Sequence, residues 1–184
     1  IQPAASNTFI HALAPVLMVV IAMSVASLIP FAEGVVLLDI NVGVLMVLAL
    51  TSVTVYGITL GGWSSNSKYS LLGGLRSAAQ MISYELSMGL AVISVVIIAG
   101  TMSLPGIVED QASGWAILGW NAFRNPIGCI LFIVTAFAET NRAPFDLPEA
   151  EQELVGGYHT EYSGMKFGMF FLAEYVNWFI ASFM

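Results

Sequence analysis

Residues 9–29 read FIHALAPVLMVVIAMSVASLI, a run from Phe9 to Ile29 that holds no charged side chain and is closed by Pro30. A hydrocarbon core about 30 Å thick is crossed by about 20 helical residues, and this run has that length. It decides the fold class, because the chain has too little polar surface to bury such a run inside a soluble domain. Hydrophobic residues make up 58% of the 184 and charged residues 9%, against about 25% charged in a soluble domain. Mean hydropathy is +0.85. The class is an all-α integral membrane protein, a multi-pass helical bundle.

Four further apolar runs lie downstream, at 40–61, 71–99, 117–138 and 167–184, so about five transmembrane helices form one membrane domain over 1–184. The second run ends at Gly61-Gly62-Trp63, and the third is amphipathic in its first half and apolar in its second. The chain starts at Ile1 and stops at Met184 inside an apolar stretch, the pattern expected of a fragment. No charged segment with a cleavage pattern precedes the first run, so nothing there reads as a signal peptide.

Charge sorts the connections onto two sides. The loops at 62–70 and 139–166, with the residues next to them, carry Lys68, Arg76, Arg142 and Lys166, whereas Arg124 is the base near the other connections, which hold Glu33, Asp39, Glu109 and Asp110. Excess bases mark the cytoplasmic or matrix side. A net charge of −7 argues against a nucleic acid partner. Cys129 is single and lies in an apolar run, so it gives no disulfide framework.

The 139–166 loop holds six of the 12 acids. Asp146, followed by Leu147-Pro148-Glu149, has the spacing of an N-cap with its capping-box partner, and Gly156-Gly157 reads as the stop. A short helix over about 147–155 is expected, with Asp146, Glu149 and Glu153 on one face. Acids in a first turn are favoured by the helix dipole alone, and Asp146 and Glu149 have that explanation open to them. Glu151, Glu153 and Glu161 do not. Five carboxylates within 16 residues repel one another and push some of their pKa values towards neutrality, where protons exchange readily.

Two acids fall within apolar runs, Glu85 in the third and Glu174 in the fifth. Each costs on the order of 2.5–3.5 kcal/mol to insert, so such residues usually face a polar cavity or a partner. A pair with Arg76 is the structural alternative for Glu85, and Arg142, one turn on, is the expected partner of Glu139. Glu153, His159 and Glu161 show no zinc or di-iron spacing, and no metal is expected. Phosphate-loop, nucleophile-elbow and cluster-binding cysteine patterns are missing from the sequence, so no catalytic residue is assigned.

Three motifs together resemble one family. Ala138-Glu139-Thr140-Asn141-Arg142 with Pro144-Phe145-Asp146, then Glu149 to Leu154 and Glu161-Tyr162, is similar to the signature loop of the H-type membrane subunits of NADH:quinone oxidoreductase, the NADH dehydrogenase subunit 1 family of respiratory complex I. Gly62-Trp63 through Lys68-Tyr69, Gly73-Gly74-Leu75-Arg76 and Ser83-Tyr84-Glu85 resemble its other cytoplasmic stretch, and Ala173-Glu174-Tyr175 its next helix. The resemblance implies the second to sixth of eight helices. It implies that Arg76, Arg142, Phe145 and Asp146 line a quinone tunnel. Glu85, Glu139, Glu149, Glu151, Glu153, Glu161 and Glu174 would then form a proton or charge path. It further implies quinone, ubiquinone above all, as bound substrate and no covalent cofactor, with NADH, FMN and iron–sulfur clusters on other subunits. The implied partners are peripheral quinone-site subunits, antiporter-like membrane subunits and lipid. The implied location is the bacterial inner membrane, or alternatively the mitochondrial inner membrane. Two rivals are the related subunit of energy-converting hydrogenases, which uses no quinone, and a transporter working alone. Transporters often carry inverted repeats and broken helices, and the sequence shows neither.

Overall fold

The computed structural model describes residues 7–32, 35–114, 119–140, 145 and 157–184. The helix expected over 147–155 lies outside the described residues. Helices α1 (Thr8–Ala26), α2 (Gly43–Ser64) and α3 (Lys68–Ala99) are each long and apolar enough to cross a bilayer. Helix α4 (Leu104–Ser113) and the single turn α5 (Asn121–Arg124) precede α6 (Pro126–Glu139), a shorter apolar helix. A 3-10 turn at Gly157–His159 leads into α7 (Met165–Phe183). The described residues hold no strand, only an isolated bridge between Ala32 and Val35.

Local chemistry fixes the ends. Asn7 caps α1 by accepting from the Phe9 N–H at 3.2 Å, and α3 stops at Gly100, whose φ of +69° is the left-handed conformation that glycine adopts without strain. The fourth expected span, 117–138, contains a break. Asn125 ends α5, and Pro126 opens α6 at a position where its missing N–H costs nothing. The Asn125 side chain accepts from Gly128 N at 3.1 Å and donates to Ser94 Oγ of α3 at 2.6 Å, so the irregular backbone is satisfied by protein, as a lipid setting demands. Helix α6 has 14 residues, about 21 Å at 1.5 Å per residue. Helix α3 has 32, about 48 Å, so roughly its first three turns overhang a 30 Å core. That overhang is its amphipathic half.

The second span was expected to end at Gly61-Gly62-Trp63, yet α2 continues to Ser64. Gly62 serves close packing there. A Cβ on Gly62 would sit 2.7 Å from Ser70 O of α3, and Gly74 of α3 lies with its Cα 3.4 Å from the same point. Small residues let membrane helices approach backbone to backbone, where dispersion rather than hydrophobic transfer holds them.

In space the helices follow the order α6, α3, α2, α1, α7. Three apolar clusters fill the seams. Ala14, Met18, Ile58, Met81, Tyr158, Tyr162 and Phe170 pack at one end, Ile21, Val25, Ile29, Val47 and Ile180 towards the other, and Val44, Met88, Val92 and Ile107 beneath α4. The row curls, because α2, α6 and α7 line one shared cavity. The start of α1, end of α2, start of α3 and start of α7 meet at one end of the bundle, whereas α6 ends beside Gln80, further along α3. Residues 157–162 therefore lie at the same end as the turn between α2 and α3.

Candidate functional site

At that end, residues 157–162 lie on a seat made by the first three helices. Ser70 Oγ donates to Tyr158 O at 2.7 Å. Gly73 faces Gly157 so closely that a Cβ there would be 2.9 Å from the Gly157 carbonyl carbon, and Gly157 itself holds φ at +70°. The Tyr162 hydroxyl is 2.9 Å from Ser64 Oγ and donates more weakly to Gly61 O at 3.5 Å. His11 of α1 stacks on the Tyr162 ring with centroids 4.0 Å apart, and Phe170 of α7 meets it edge-on. Burial lifts the Tyr162 phenol above its ordinary pKa, the Ser64 hydrogen bond drawing it partly back, so the ring is neutral at physiological pH. Glu161, half-buried, is carried by this anchored segment.

A second set of contacts ties the end of α6 to α3. Gln80 Nε2 donates to Ala138 O at 3.1 Å and to Phe145 O at 2.8 Å, and the Phe145 ring packs edge-on against Tyr84 at 5.3 Å. Arg76, Gln80 and Tyr84 recur every four residues, which puts them on one stripe of α3. Of the four residues expected to line a tunnel, Arg76 and Phe145 are thus placed against the same stripe, while Arg142 and Asp146 lie outside the described residues. Gln80 was not foreseen. Its signal was the four-residue spacing from Arg76 and to Tyr84, overlooked because an uncharged amide looks innocuous in an apolar helix.

Below this end lie the acids of the bundle. The Ser52 hydroxyl of α2 donates to Glu85 Oε1 of α3. The same hydroxyl reaches Leu48 O at 2.9 Å, and its single proton serves one acceptor at a time. The Arg76 pairing considered for Glu85 is not what the structure shows; Arg124 pairs with Asp110 at the opposite end. Glu85 of α3 and Glu139 of α6 lie within electrostatic reach of one another. Glu85 and Ser52 also line an open groove of about 450 Å³ on the flank between α2 and α3, walled by Leu45, Leu48, Leu86 and Leu90. Glu174 is half-buried on α7 beside the fully buried Ala173. Glu149, Glu151 and Glu153 lie outside the described residues, as does Arg142, the expected partner of Glu139. His159 is surrounded by Tyr158, Phe167 and Phe171 rings, an aromatic packing role.

The arrangement combines an anchored polar end with Glu85, a carboxylate inside an apolar helix that accepts from the Ser52 hydroxyl. Comparisons with known proteins agree with one another. The family model described as NADH dehydrogenase matches residues 1–184. The H subunit of NADH-quinone oxidoreductase from Salinibacter ruber is 81% identical over 183 residues, covering 100% of this chain and 53% of that protein. NADH-quinone oxidoreductase subunit 8 of Rhodothermus marinus is 76% identical, over 100% of this chain and 54% of its own length. The corresponding H subunit of Rhodospirillum centenum is 53% identical over 99% of this chain and 53% of its own. The chain spans about half the length of the curated relatives it matches.

Proposed function

Because the chain belongs to the NADH dehydrogenase family, we propose that it is the core of a membrane subunit of a proton-translocating NADH:quinone oxidoreductase. Its work is to couple quinone chemistry at one end of the bundle to proton movement within it. The observation that carries this reading is the alignment of two features. Residues 157–162 seat on α2 and α3, and Phe145 on the stripe of α3 that carries Arg76, while Glu85 and Glu139 come within electrostatic reach of one another.

In this reading Arg76, Arg142, Phe145 and Asp146 line the path of a bound quinone, ubiquinone in the first instance. Phe145 offers an aromatic face and the arginines offer donors to a polar headgroup. Glu149, Glu151, Glu153 and Glu161 form the acidic segment whose protonation responds to quinone reduction. Glu139, Glu85 and Glu174 carry protons or charge onward. The groove that exposes Ser52 and Glu85 between apolar walls supports a lateral hand-over to a neighbouring membrane subunit, since an intramembrane acid needs a polar partner. Redox centres and NADH belong to other subunits of the assembly, and the location is the inner membrane of a bacterium, in keeping with the bacterial relatives.

The test is Glu139→Gln in the full-length protein within the intact enzyme, measuring NADH:quinone reductase activity and proton pumping together. A loss of about a hundredfold is expected if the carboxylate transfers protons. Fully assembled enzyme with unchanged turnover and unchanged pumping would remove Glu139 from the path.

A further inference from the structure

Helix α6 starts level with Ser94 of α3, to which Asn125 Nδ2 donates, whereas α3 runs on to its cap at Gly100, roughly 9 Å further at 1.5 Å per residue. Beside that step lies a cavity of about 280 Å³ between α3, α4, α5 and α6. Its walls are mostly apolar, Val92, Val95, Ile107 and Phe132 among them, and Val108, Phe183 and Met184 carry the apolar lining out to exposed positions. An apolar cavity of about 150 Å³ already stays dry and takes a benzene-sized guest. A larger void forfeits the dispersion contacts of every side chain around it. One corner is polar. Asn121 lines the cavity and is 8% exposed, yet among the described residues neither its Nδ2 nor its Oδ1 has a hydrogen-bond partner. Its backbone N–H is held by Gln111 Oε1 at 3.2 Å, which ties α5 to α4. A buried carboxamide without bonds is costly, so the site suits a guest that is apolar along its length and polar at one end.

The setting identifies that guest. The end of α1, the start of α2 and the end of α7 also border the cavity, so it lies at the end of the bundle away from the seat of residues 157–162. Trp120 is exposed next to Asn121, and tryptophan marks the membrane–water interface. Arg124, on the same turn, pairs with Asp110, and Glu109 is exposed beside it. A guanidinium has five N–H donors, more than one carboxylate takes up, so Arg124 also suits a phosphate, and the two acids suit an amine. We propose that the cavity binds one acyl chain of an aminophospholipid from the bilayer, its ester carbonyl accepting from Asn121 Nδ2. An interfacial water that accompanies the ester donates to Oδ1. The phosphate meets Arg124, and the ammonium meets Glu109 and Asp110. The lipid thereby completes the packing between α3 and α4 where α6 falls short.

The experiment uses the full-length protein in the intact enzyme, stripped of lipid in a steroid-based detergent that has no alkyl chain. Cys129 also lines the cavity and is the reporter, its alkylation by N-ethylmaleimide followed by mass spectrometry of its peptide. Phosphatidylethanolamine added in the same detergent is expected to slow alkylation about tenfold, the protection given by a site filled roughly nine-tenths of the time. Phosphatidylglycerol at equal concentration is expected to slow it less than about twofold, because the acids disfavour an anionic headgroup. Asn121→Leu is expected to need about fivefold more phosphatidylethanolamine for the same protection, having lost one hydrogen bond. A map of the enzyme in nanodiscs containing phosphatidylethanolamine is expected to show chain-shaped density in the cavity. Unprotected Cys129 overturns the proposal, and so does a cavity filled by polypeptide or by water alone. Equal protection by phosphatidylglycerol overturns the headgroup assignment, and an unchanged requirement in Asn121→Leu overturns the anchoring role of Asn121. If Asn121→Leu fails to assemble, or Cys129 does not react without lipid, the map decides.

Discussion

Gly73→Ala adds one methyl group at the tightest contact between α3 and the signature loop. Its Cβ would stand 2.9 Å from the Gly157 carbonyl carbon, 3.0 Å from Tyr158 N and 3.1 Å from Gly157 Cα. All three are backbone atoms, so no side chain can swing away to make room. Forcing a methyl into such a site costs about 1–3 kcal/mol. Displacing the turn also weakens the Ser70–Tyr158 hydrogen bond, worth about 1 kcal/mol. Against this, alanine gains up to about 1 kcal/mol of helix propensity over glycine. The clash wins, and net destabilisation is about 1–3 kcal/mol, concentrated where residues 157–162 meet α3 rather than in α3 itself. Hydrogen–deuterium exchange on the full-length protein in its enzyme reads this directly. A local loss of about 2 kcal/mol corresponds to roughly thirtyfold faster exchange in the 157–162 peptide, with the α1 and α2 peptides unchanged. The control is Gly89→Ala on the same helix, where an added Cβ meets nothing within 4 Å and is expected to be neutral or mildly stabilising. Unchanged protection in Gly73→Ala, or equal loosening in Gly89→Ala, would refute the idea that glycine is present for backbone contact.

Three further outcomes follow from contacts at the same end and at the break before α6. The raised phenol pKa of Tyr162 stabilises the fold fully at pH values below the ordinary phenol pKa of about 10. That contribution is lost as pH rises through the higher folded value, so thermal midpoints measured from pH 8 to 12 should fall more steeply above pH 10 in the native protein than in Tyr162→Phe. At neutral pH the same variant should cost about 1 kcal/mol through the lost Ser64 hydrogen bond, read as a small drop in thermal midpoint. Gln80→Leu leaves Ala138 O and Phe145 O without their donor, a penalty of about 1–3 kcal/mol, and should increase proteolytic cleavage near Phe145, whereas Gln80→Glu should preserve neither bond. Asn125→Ala removes the cap of α6 and should lower thermal stability by about 1 kcal/mol, measured by melting of the intact enzyme.

Much of this was readable from residue order, and the misses have physical causes. Glu85 stood out because a carboxylate in an apolar run is costly whatever surrounds it. Its partner Ser52 did not, since a serine in a membrane helix commonly bonds its own backbone, as Ser52 also does with Leu48. Glycine pairs were ambiguous. Gly62, near the expected end of the second span, supports close helix packing, and only the position of Ser70 on the facing helix reveals that use. Helix α4 was read as part of a connection, although Ser103 followed by Leu104-Pro105 is a start signal; Ser103 Oγ accepts from Gly106 N at 3.4 Å. The His11–Tyr162 stack joins positions far apart in sequence, and nothing in local pattern announces such a contact.

The seat beneath residues 157–162 also bears on how the protein is made. Its residues, from His11 through Ser64 and Ser70 to Gly73, belong to α1, α2 and the start of α3. Chains emerge and organise from the N-terminal side first, so the seat is inserted in the bilayer before the segment that fills it has been synthesised. Docking of Tyr158 and Tyr162 is then a later step that ties α7 against α1. Until it occurs, the nascent chain presents an unfilled socket of small and hydroxyl-bearing residues, Ser64, Ser70 and Gly73, beside His11.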